Sequence, residues 1–328
     1  MNEHDPSKFS LWRPADALGD GYPPLPANGF RVVAIGNFDG AHRGHAAVAA
    51  EARALAAAGG AGRSAEILAL TFDPHPRAFF QPGKPHFRLL DPATRMEALA
   101  RIGFDGAVIL PFTTAFAALT PAEFIEKILI ARLGADGVVV GEDFHFGKAR
   151  AGTPAFLVEQ GARLGFAVRL VKPFRDADGT VISSSAIRAA LASGEIAHAN
   201  AMLGYFYTVR GEVIHGEKRG RDLGYPTANI RLDPASGLAH GIYAVRAKID
   251  GRWHEAVASF GRRPHFDNGA PLLETFVFDF KGDLYGKDIE IAFVAYLRGE
   301  AKFDSLEALI TQMDADCREA RRLLARPS

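Results

Sequence analysis

Two histidines three residues apart stand in the segment Gly36-Asn37-Phe38-Asp39-Gly40-Ala41-His42-Arg43-Gly44-His45. Before it lies a short apolar run, RVVAIG (Arg31–Gly36). After Gly44 the chain is alanine-rich and of high helical propensity. A loop between a strand end and a helix start offers backbone N–H groups and the positive end of the helix dipole, and both favour phosphate. Gly36 and Gly40 allow tight turns, and Gly44 lets a phosphate approach the backbone. Two imidazoles here can donate hydrogen bonds to phosphate oxygens as charge builds on them, which is catalysis by positioning with no covalent intermediate. The same spacing also suits two helix-surface histidines or two ligands of a metal.

Other phosphate signatures fail. No GxxxxGK[ST] is present. Gly60-Ala-Gly-Arg-Ser-Ala65 fits a loose GxGxxA, but it follows a helix and precedes a strand, the reverse of a dinucleotide fingerprint, and reads as a turn. Ile182-Ser-Ser-Ser-Ala-Ile-Arg188 places hydroxyls and an arginine at a helix start. That is an anion clamp in which Arg188 binds bidentately, or else a serine-capped helix with an arginine in solvent. The aromatics of Gly141-Glu-Asp-Phe-His-Phe-Gly147 could line a planar ligand, or form an ordinary loop after a strand.

In the second half, Gly216-Glu-Lys-Arg-Gly-Arg-Asp-Leu-Gly-Tyr-Pro-Thr-Ala-Asn229 begins as a glycine- and base-rich loop able to fold over phosphates. It ends in a strand where Thr227 and Asn229, two apart, face one side. A hydroxyl and an amide oxygen so placed can ligate Mg²⁺, although two polar outward residues after a turn would look the same. Glu274 interrupts an apolar strand, either as an exposed alternate-face residue or as a base in a partly dry site.

The elements that must position these residues divide the chain. At 328 residues it has the length of two domains. Strands are expected at Arg31–Gly36, Glu66–Phe72, Gly106–Leu110, Ala135–Val140 and Phe166–Val171, and helices at Asp91–Ile102, Thr120–Arg132 and Thr153–Gly165. Two of these helices open on Thr-Pro, and Thr120 with Glu123 forms a capping box. The alternation predicts a parallel sheet covered on both faces, with ligands beyond its carboxyl edge. Residues 1–28 read as irregular. Two short helical pieces follow Ser184, punctuated by Gly194 and Gly204. From Tyr205 six strands with period-two patterning follow without intervening helices (Tyr205–Ile214, Thr227–Leu232, Gly241–Ile249, Trp253–Phe260, Leu273–Phe280, Asp288–Tyr296), the signature of an antiparallel barrel or sandwich. A last helix, Ser305–Leu324, is expected to be capped at Asp304. The expected domains are therefore 1–190 and 205–328, with 191–204 connecting them.

Composition narrows the partners. Lys plus Arg and Asp plus Glu both number 38, so no global field gathers nucleic acid or an anionic membrane. The single Cys317 excludes an intramolecular disulfide and reads as a helix-face thiol. No signal peptide is evident and no apolar run is long enough to span a bilayer, so the expected compartment is the cytoplasm.

GNFDGAHRGH, TFDPHP (Thr71–Pro76), GEDFHFGKARAG (Gly141–Gly152) and ISSSAIR, followed by RGRDLGYPTANI, GIYAV, FGRRPHF, LETFVFDFKGDLYGK and LRGEAKFDSLEALITQMDAD, together resemble the bacterial bifunctional riboflavin kinase/FAD synthetase family over nearly the whole chain, in order. The resemblance implies a Rossmann-like HxGH nucleotidyltransferase domain that adenylylates FMN, followed by a six-stranded β-barrel riboflavin kinase domain with a C-terminal helix. Carried over by motif, His42 and His45 would hold ATP phosphates within Gly36, Asn37, Phe38, Asp39, Gly40 and Gly44, with Ser184, Ser185 and Arg188 closing on them. Asp143, Phe144, Phe146 and Arg150 would serve the flavin. In the kinase half Gly216, Arg219, Gly220 and Gly224 would cover the nucleotide, Thr227 and Asn229 would hold Mg²⁺ and phosphate, and Glu274 would be the general base. Asp143 stands where the family commonly has Asn, and Ser185 where it has Thr. His265 stands for Thr, and Ser259-Phe260-Gly261 for Asn-Ile-Gly, both in one loop that bears on substrate affinity.

The implied partners are small molecules: ATP, riboflavin and FMN, with FAD as product. Two alternatives remain at this point. One is an FMN adenylyltransferase whose kinase half is impaired, which would make FAD from FMN and nothing from riboflavin. The other is a flavin-binding regulator without turnover, which would release no pyrophosphate.

Overall fold

The computed structural model describes residues 9–19, 24–26, 29–215, 225–262 and 271–325. It divides into two compact units, one of Met1–Lys84 with Pro92–Ile182 and the other of Pro85–Asp91 with Ser183–Ser328.

The first unit is built on β1 (Ser10–Trp12), β2 (Phe30–Ile35), β3 (Ala65–Asp73), β4 (Gly106–Pro111), β5 (Gly137–Gly141) and β6 (Ala167–Val171). They form one parallel sheet in the order β1-β4-β3-β2-β5-β6. Every residue of β2 is buried. Val33 and Ile35 enter the core on one face, while Phe30, Val32 and Ala34 enter the core on the other. This double burial is why the parallel strands read as unbroken apolar runs. Helix α1 (Arg43–Gly59) lays Ala49, Ala52, Leu55 and Ala56 on the second face. These positions recur at helical spacing, and small alanines permit a close approach.

Arg31, only 4% exposed, staples the start of β2. Its Nε donates to Glu66 Oε2 at 2.8 Å, and its two terminal nitrogens donate to the carbonyls of Leu133 and Pro26. A guanidinium can be buried at that cost only when its donors are satisfied in this way.

The segment read as irregular contains β1, which pairs with β4 at Ser10↔Gly106 through Trp12↔Val108. Three residues carry too little periodicity to announce a strand. The Thr120 capping box is present: Thr120 Oγ1 accepts from Glu123 N, and Glu123 Oε2 accepts from Thr120 N. The helix it opens widens to π geometry over Phe124–Arg132. The wider turn gathers Phe124, Ile128, Leu129 and Leu133 onto the buried side.

Helices α2 (Pro76–Phe80), α3 (Pro92–Arg101), α4 (Thr114–Ala117), α5 (Pro121–Glu123) and α6 (Pro154–Leu164) complete the first unit, and the second begins with α7 (Ser184–Ala192) and α8 (Ile196–Leu203). The residues expected as a connection, 191–204, comprise the end of α7 and all of α8. Asn200 ties them to the barrel, donating from Nδ2 to Phe293 O at 2.9 Å and accepting from Tyr207 N at 2.7 Å. The barrel strands are β7 (Thr208–Glu212), β8 (Thr227–Arg231), β9 (Gly241–Ile249), β10 (Arg252–Arg262), β11 (Pro271–Val277) and β12 (Asp288–Arg298). Their order is β7-β12-β9-β10-β11-β8, antiparallel throughout. Ile214 N donates to Asn229 O at 2.9 Å, joining the end strands. The sandwich alternative therefore gives way to a near-closed barrel.

The C-terminal helix Leu306–Leu324 packs Cys317, Ala320, Leu323 and Leu324 against Ala244, Val257, Phe276 and Phe278 on the barrel's outer face. Its cap is Ser305, which accepts from Ala308 N at 3.1 Å, and not the neighbouring Asp304.

Candidate active sites

In the first unit β2 is followed outward on one side by β3 and β4, and on the other by β5 and β6. Strand order reverses at β2, so the crevice beyond its carboxyl end is where a doubly wound sheet receives a ligand. The His42 loop lies there. Gly36 N donates to Leu70 O at 3.1 Å, and buried Thr71 donates from Oγ1 to Asn37 O at 3.1 Å, so β3 fixes the loop's exit. Phe38 and Ala41 then take φ of +50° and +36°, and Gly40 takes +87°. Left-handed backbone at two non-glycine residues costs on the order of 1 kcal/mol each or more, a strain characteristic of functional turns.

Phe38 is buried, its ring edge-on to Phe104 at 5.3 Å and to His45 at 5.2 Å. It therefore supports His45 from beneath, while Asn37 is exposed. His42 is the N-cap of α1 and is 5% exposed. Its ring stacks on His45 with centroids 3.6 Å apart. The backbone N–H of His42 donates to His45 Nδ1 at 3.3 Å, so a neutral His45 carries its proton on Nε2. Burial first, and then the His42 ring, hold the His45 pKa well below the ordinary 6.5. A Cβ on Gly44 would stand 3.1 Å from the His42 ring and 3.5 Å from Ile182 O. This explains the glycine between the histidines.

After β5, Phe144 and Phe146 stack at 5.4 Å with 12° between their planes. Phe146 is 7% exposed and rests on Phe124, so the half-buried Phe144 offers the outer ring face. Phe146 and Gly152 exchange backbone hydrogen bonds of 3.1 and 2.8 Å, closing a loop that carries exposed Arg150, and exposed Asp143 lies just before it. Ser183 caps α7 by accepting from Ala186 N at 3.2 Å, leaving Ser184 and Ser185 in the first turn. Arg188 Nε donates to Phe87 O at 2.6 Å. These three candidates belong to the second unit.

In the barrel, Leu273, Thr275 and Val277 are buried inward, which puts Leu272, Glu274 and Phe276 on the outer face. Glu274 pairs with Asn229 on β8 and with Ser259 on β10. Ser259-Phe260-Gly261 thus lies within β10 and not in a loop, in keeping with the strand expected at Trp253–Phe260. Thr227 shares the outer face with Asn229, and Asn229 Nδ2 turns back to Thr227 O at 3.3 Å. This bond uses an amide N–H and not the acceptor Oδ1. Among the described residues no group of three His, Cys, Asp or Glu could hold a metal. A cation here would rest on hard neutral oxygens completed by phosphates, a donor set suited to Mg²⁺. Gly216, Arg219, Gly220, Gly224 and His265 lie outside the described residues.

Tyr225, just before β8, donates to Asp314 Oδ1 of the C-terminal helix at 2.5 Å, and this bond with burial raises its pKa to about 12. Burial, then Asp314 and Asp316, push the Cys317 thiol up to about 11, so it stays protonated and unreactive as a helix-face thiol should. Among the described residues no helix is long and apolar enough to cross a membrane.

Residues 26–186 match the family model described as FAD synthetase, and residues 203–324 match that described as riboflavin kinase. A Listeria monocytogenes bifunctional riboflavin kinase/FMN adenylyltransferase is 37% identical over 90% of this chain and 93% of its own length. A Pseudomonas fluorescens protein of the same description is 40% identical over 90% of this chain and 93% of its own. A solved Streptococcus pneumoniae structure, described as a macrolide-efflux protein, superposes with a TM-score of 0.84 at 32% identity, covering 95% of this chain and 98% of that one.

Proposed function

The chain belongs to the bifunctional riboflavin kinase/FMN adenylyltransferase family, and from that footing we propose which residues carry each of its two reactions. The enzyme phosphorylates riboflavin to FMN with ATP and adenylylates FMN to FAD. We assign the second reaction to residues 1–190 and the first to 205–328, with 191–204 between them.

In adenylyl transfer a phosphate oxygen of FMN attacks the α-phosphorus of ATP, and pyrophosphate leaves. His45, neutral and protonated on Nε2, donates to the phosphates as charge accumulates on the leaving group, and His42 does the same beside it. The N-terminus of α1 adds backbone donors and its dipole. Ser184, Ser185 and Arg188 are assigned to phosphate binding on the strength of the motif they share with the family, while Phe144 and Arg150, with Asp143, meet the flavin.

In the kinase reaction Glu274 accepts the proton of the riboflavin 5′-hydroxyl, whose oxygen attacks the γ-phosphorus as ADP departs. Thr227 and Asn229 hold the nucleotide phosphates together with Mg²⁺, which when bound neutralises charge on the phosphoryl oxygens. Gly216, Arg219, Gly220 and Gly224 cover them.

The observation that supports this division is that the stacked His42 and His45 lie in one compact unit and the paired Asn229 and Glu274 in the other. Small molecules are the partners, and the balanced charge and lone cysteine support a cytoplasmic setting without nucleic acid or membrane. Riboflavin, ATP and Mg²⁺ supplied to the purified protein should give FMN and then FAD, with one pyrophosphate per FAD. A flavin-binding protein without turnover would release none.

A further inference from the structure

Across the outer face of the barrel, four residues stand opposite one another in consecutive strand pairs: Asn229 on β8, Glu274 on β11, Ser259 on β10 and Ile242 on β9. Directly opposed residues of antiparallel strands share a face, with Cβ atoms roughly 4.5–5.5 Å apart. The row therefore runs amide, carboxylate, hydroxyl, alkyl. The adjacent outer row, Phe276, Val257 and Ala244, is covered by the C-terminal helix. That helix walls the first row along one side and leaves Ser259 and Ile242 half-buried.

Phosphoryl transfer needs the attacking oxygen, phosphorus and leaving oxygen roughly in line. With the nucleotide phosphates on the Asn229 side of Glu274, the acceptor must approach from the opposite side, over Ser259. Riboflavin carries its reactive hydroxyl at the end of a polyol chain, with further hydroxyls one carbon apart and an apolar ring system beyond. Resting on the kinase reading given above, we infer that Ser259 binds the polyol: its hydroxyl holds the 4′-hydroxyl of riboflavin while Glu274 takes the proton from the 5′-hydroxyl, and Ile242 meets the methylene and ring end. Ser259 is then a specificity residue for the acceptor and takes no part in handling the nucleotide.

The test pairs a substitution with a substrate analogue in steady-state kinase assays of the full-length enzyme. Riboflavin and 4′-deoxyriboflavin are compared in the unaltered enzyme, in S259A and in S259T. The unaltered enzyme should show a KM for the analogue on the order of tenfold above that for riboflavin, the fold-change expected for one lost polar contact. S259A should raise the riboflavin KM by a similar factor, leave kcat and the KM for ATP unchanged, and no longer distinguish the two flavins. S259T keeps the hydroxyl and should keep the distinction.

A riboflavin KM unchanged in S259A overturns the assignment, as does an analogue penalty that persists in that variant. So does a fall in kcat at constant KM, which would mean that Ser259 acts through Glu274. Absence of riboflavin turnover in the unaltered enzyme would instead overturn the kinase reading beneath it.

Discussion

His42 and His45 stack ring on ring, 3.6 Å between centroids and 18° between planes, with His45 Nδ1 accepting the backbone N–H of His42. Two imidazoles this close cannot both be charged at little cost, and the low pKa of His45 removes its charge first. On the proposed function His45 donates to phosphate through Nε2–H, with His42 beside it. H42A and H45A should each lower FMN adenylylation by about 10²–10³-fold, the cost of a lost transition-state donor. Riboflavin phosphorylation by the same samples should hold at the unaltered rate, which a coupled ADP assay measures.

The same pKa shift links to stability. Folded His45 resists protonation, whereas in the unfolded chain it titrates near 6.5. As pH falls below 6.5 the unfolded state gains a proton that the folded state does not, so stability drops, and the penalty grows until the folded-state pKa is reached. Above 6.5 both states are neutral and the group contributes no pH dependence. Melting temperatures from pH 8 to pH 5 should fall more steeply for the unaltered protein than for H45N. Parallel curves would contradict the assignment.

Gly44 stands where a methyl group would come within 3.1 Å of the His42 ring. G44A must move that ring by a few tenths of an ångström and also narrows the approach of phosphate to the backbone. Adenylylation should fall on the order of tenfold, mostly as a raised KM for ATP, because positioning errors of this size act on bound geometry. Circular dichroism should show the helix content unchanged.

R31M tests the staple under β2. It leaves Glu66 and two carbonyls without their buried partner. The loss should be about 3–5 kcal/mol, the range for breaking one side of a buried pair. Denaturant unfolding followed by fluorescence would report it as a lowered midpoint of the first unit's transition. A shift below about 1 kcal/mol would show that water replaces the arginine readily.

Some of this organisation was legible in the chain because it rests on local signals. The Thr120 capping box, the alternation of the first half and the period-two strands of the second are short-range patterns, and each appears in the structure. What escaped depends on long-range contact. β1 is a strand only because β4 has a free edge for Ser10–Trp12. Ser183, Ser184 and Ser185 are equivalent in sequence, and only the entry angle of α7 selects Ser183 as its cap. Asp304 and Ser305 are both good caps, and the packed helix chooses the second.

The candidate sites divide in the same way. The His42–His45 motif is contiguous and could be read directly. Phe38 and Phe146 carry motif positions yet serve as buried supports, which no spacing rule foretells. Ser259 falls inside the strand expected at Trp253–Phe260, but that strand alone does not say what stands beside it. Its position beside Glu274 is a matter of register, and register is fixed between strands and not within one.

On the proposed function two sites act in sequence, with Glu274 serving the kinase site alone. The direct measurement is the rate of each half-reaction in E274Q, with riboflavin supplied in one assay and FMN in the other. Riboflavin phosphorylation should fall by about 10²–10⁴-fold, the contribution of a positioned general base, while FMN is converted to FAD at the unaltered rate. Retention of riboflavin phosphorylation, or equal loss of both reactions in a folded protein, would contradict the assignment of Glu274 to the kinase site alone.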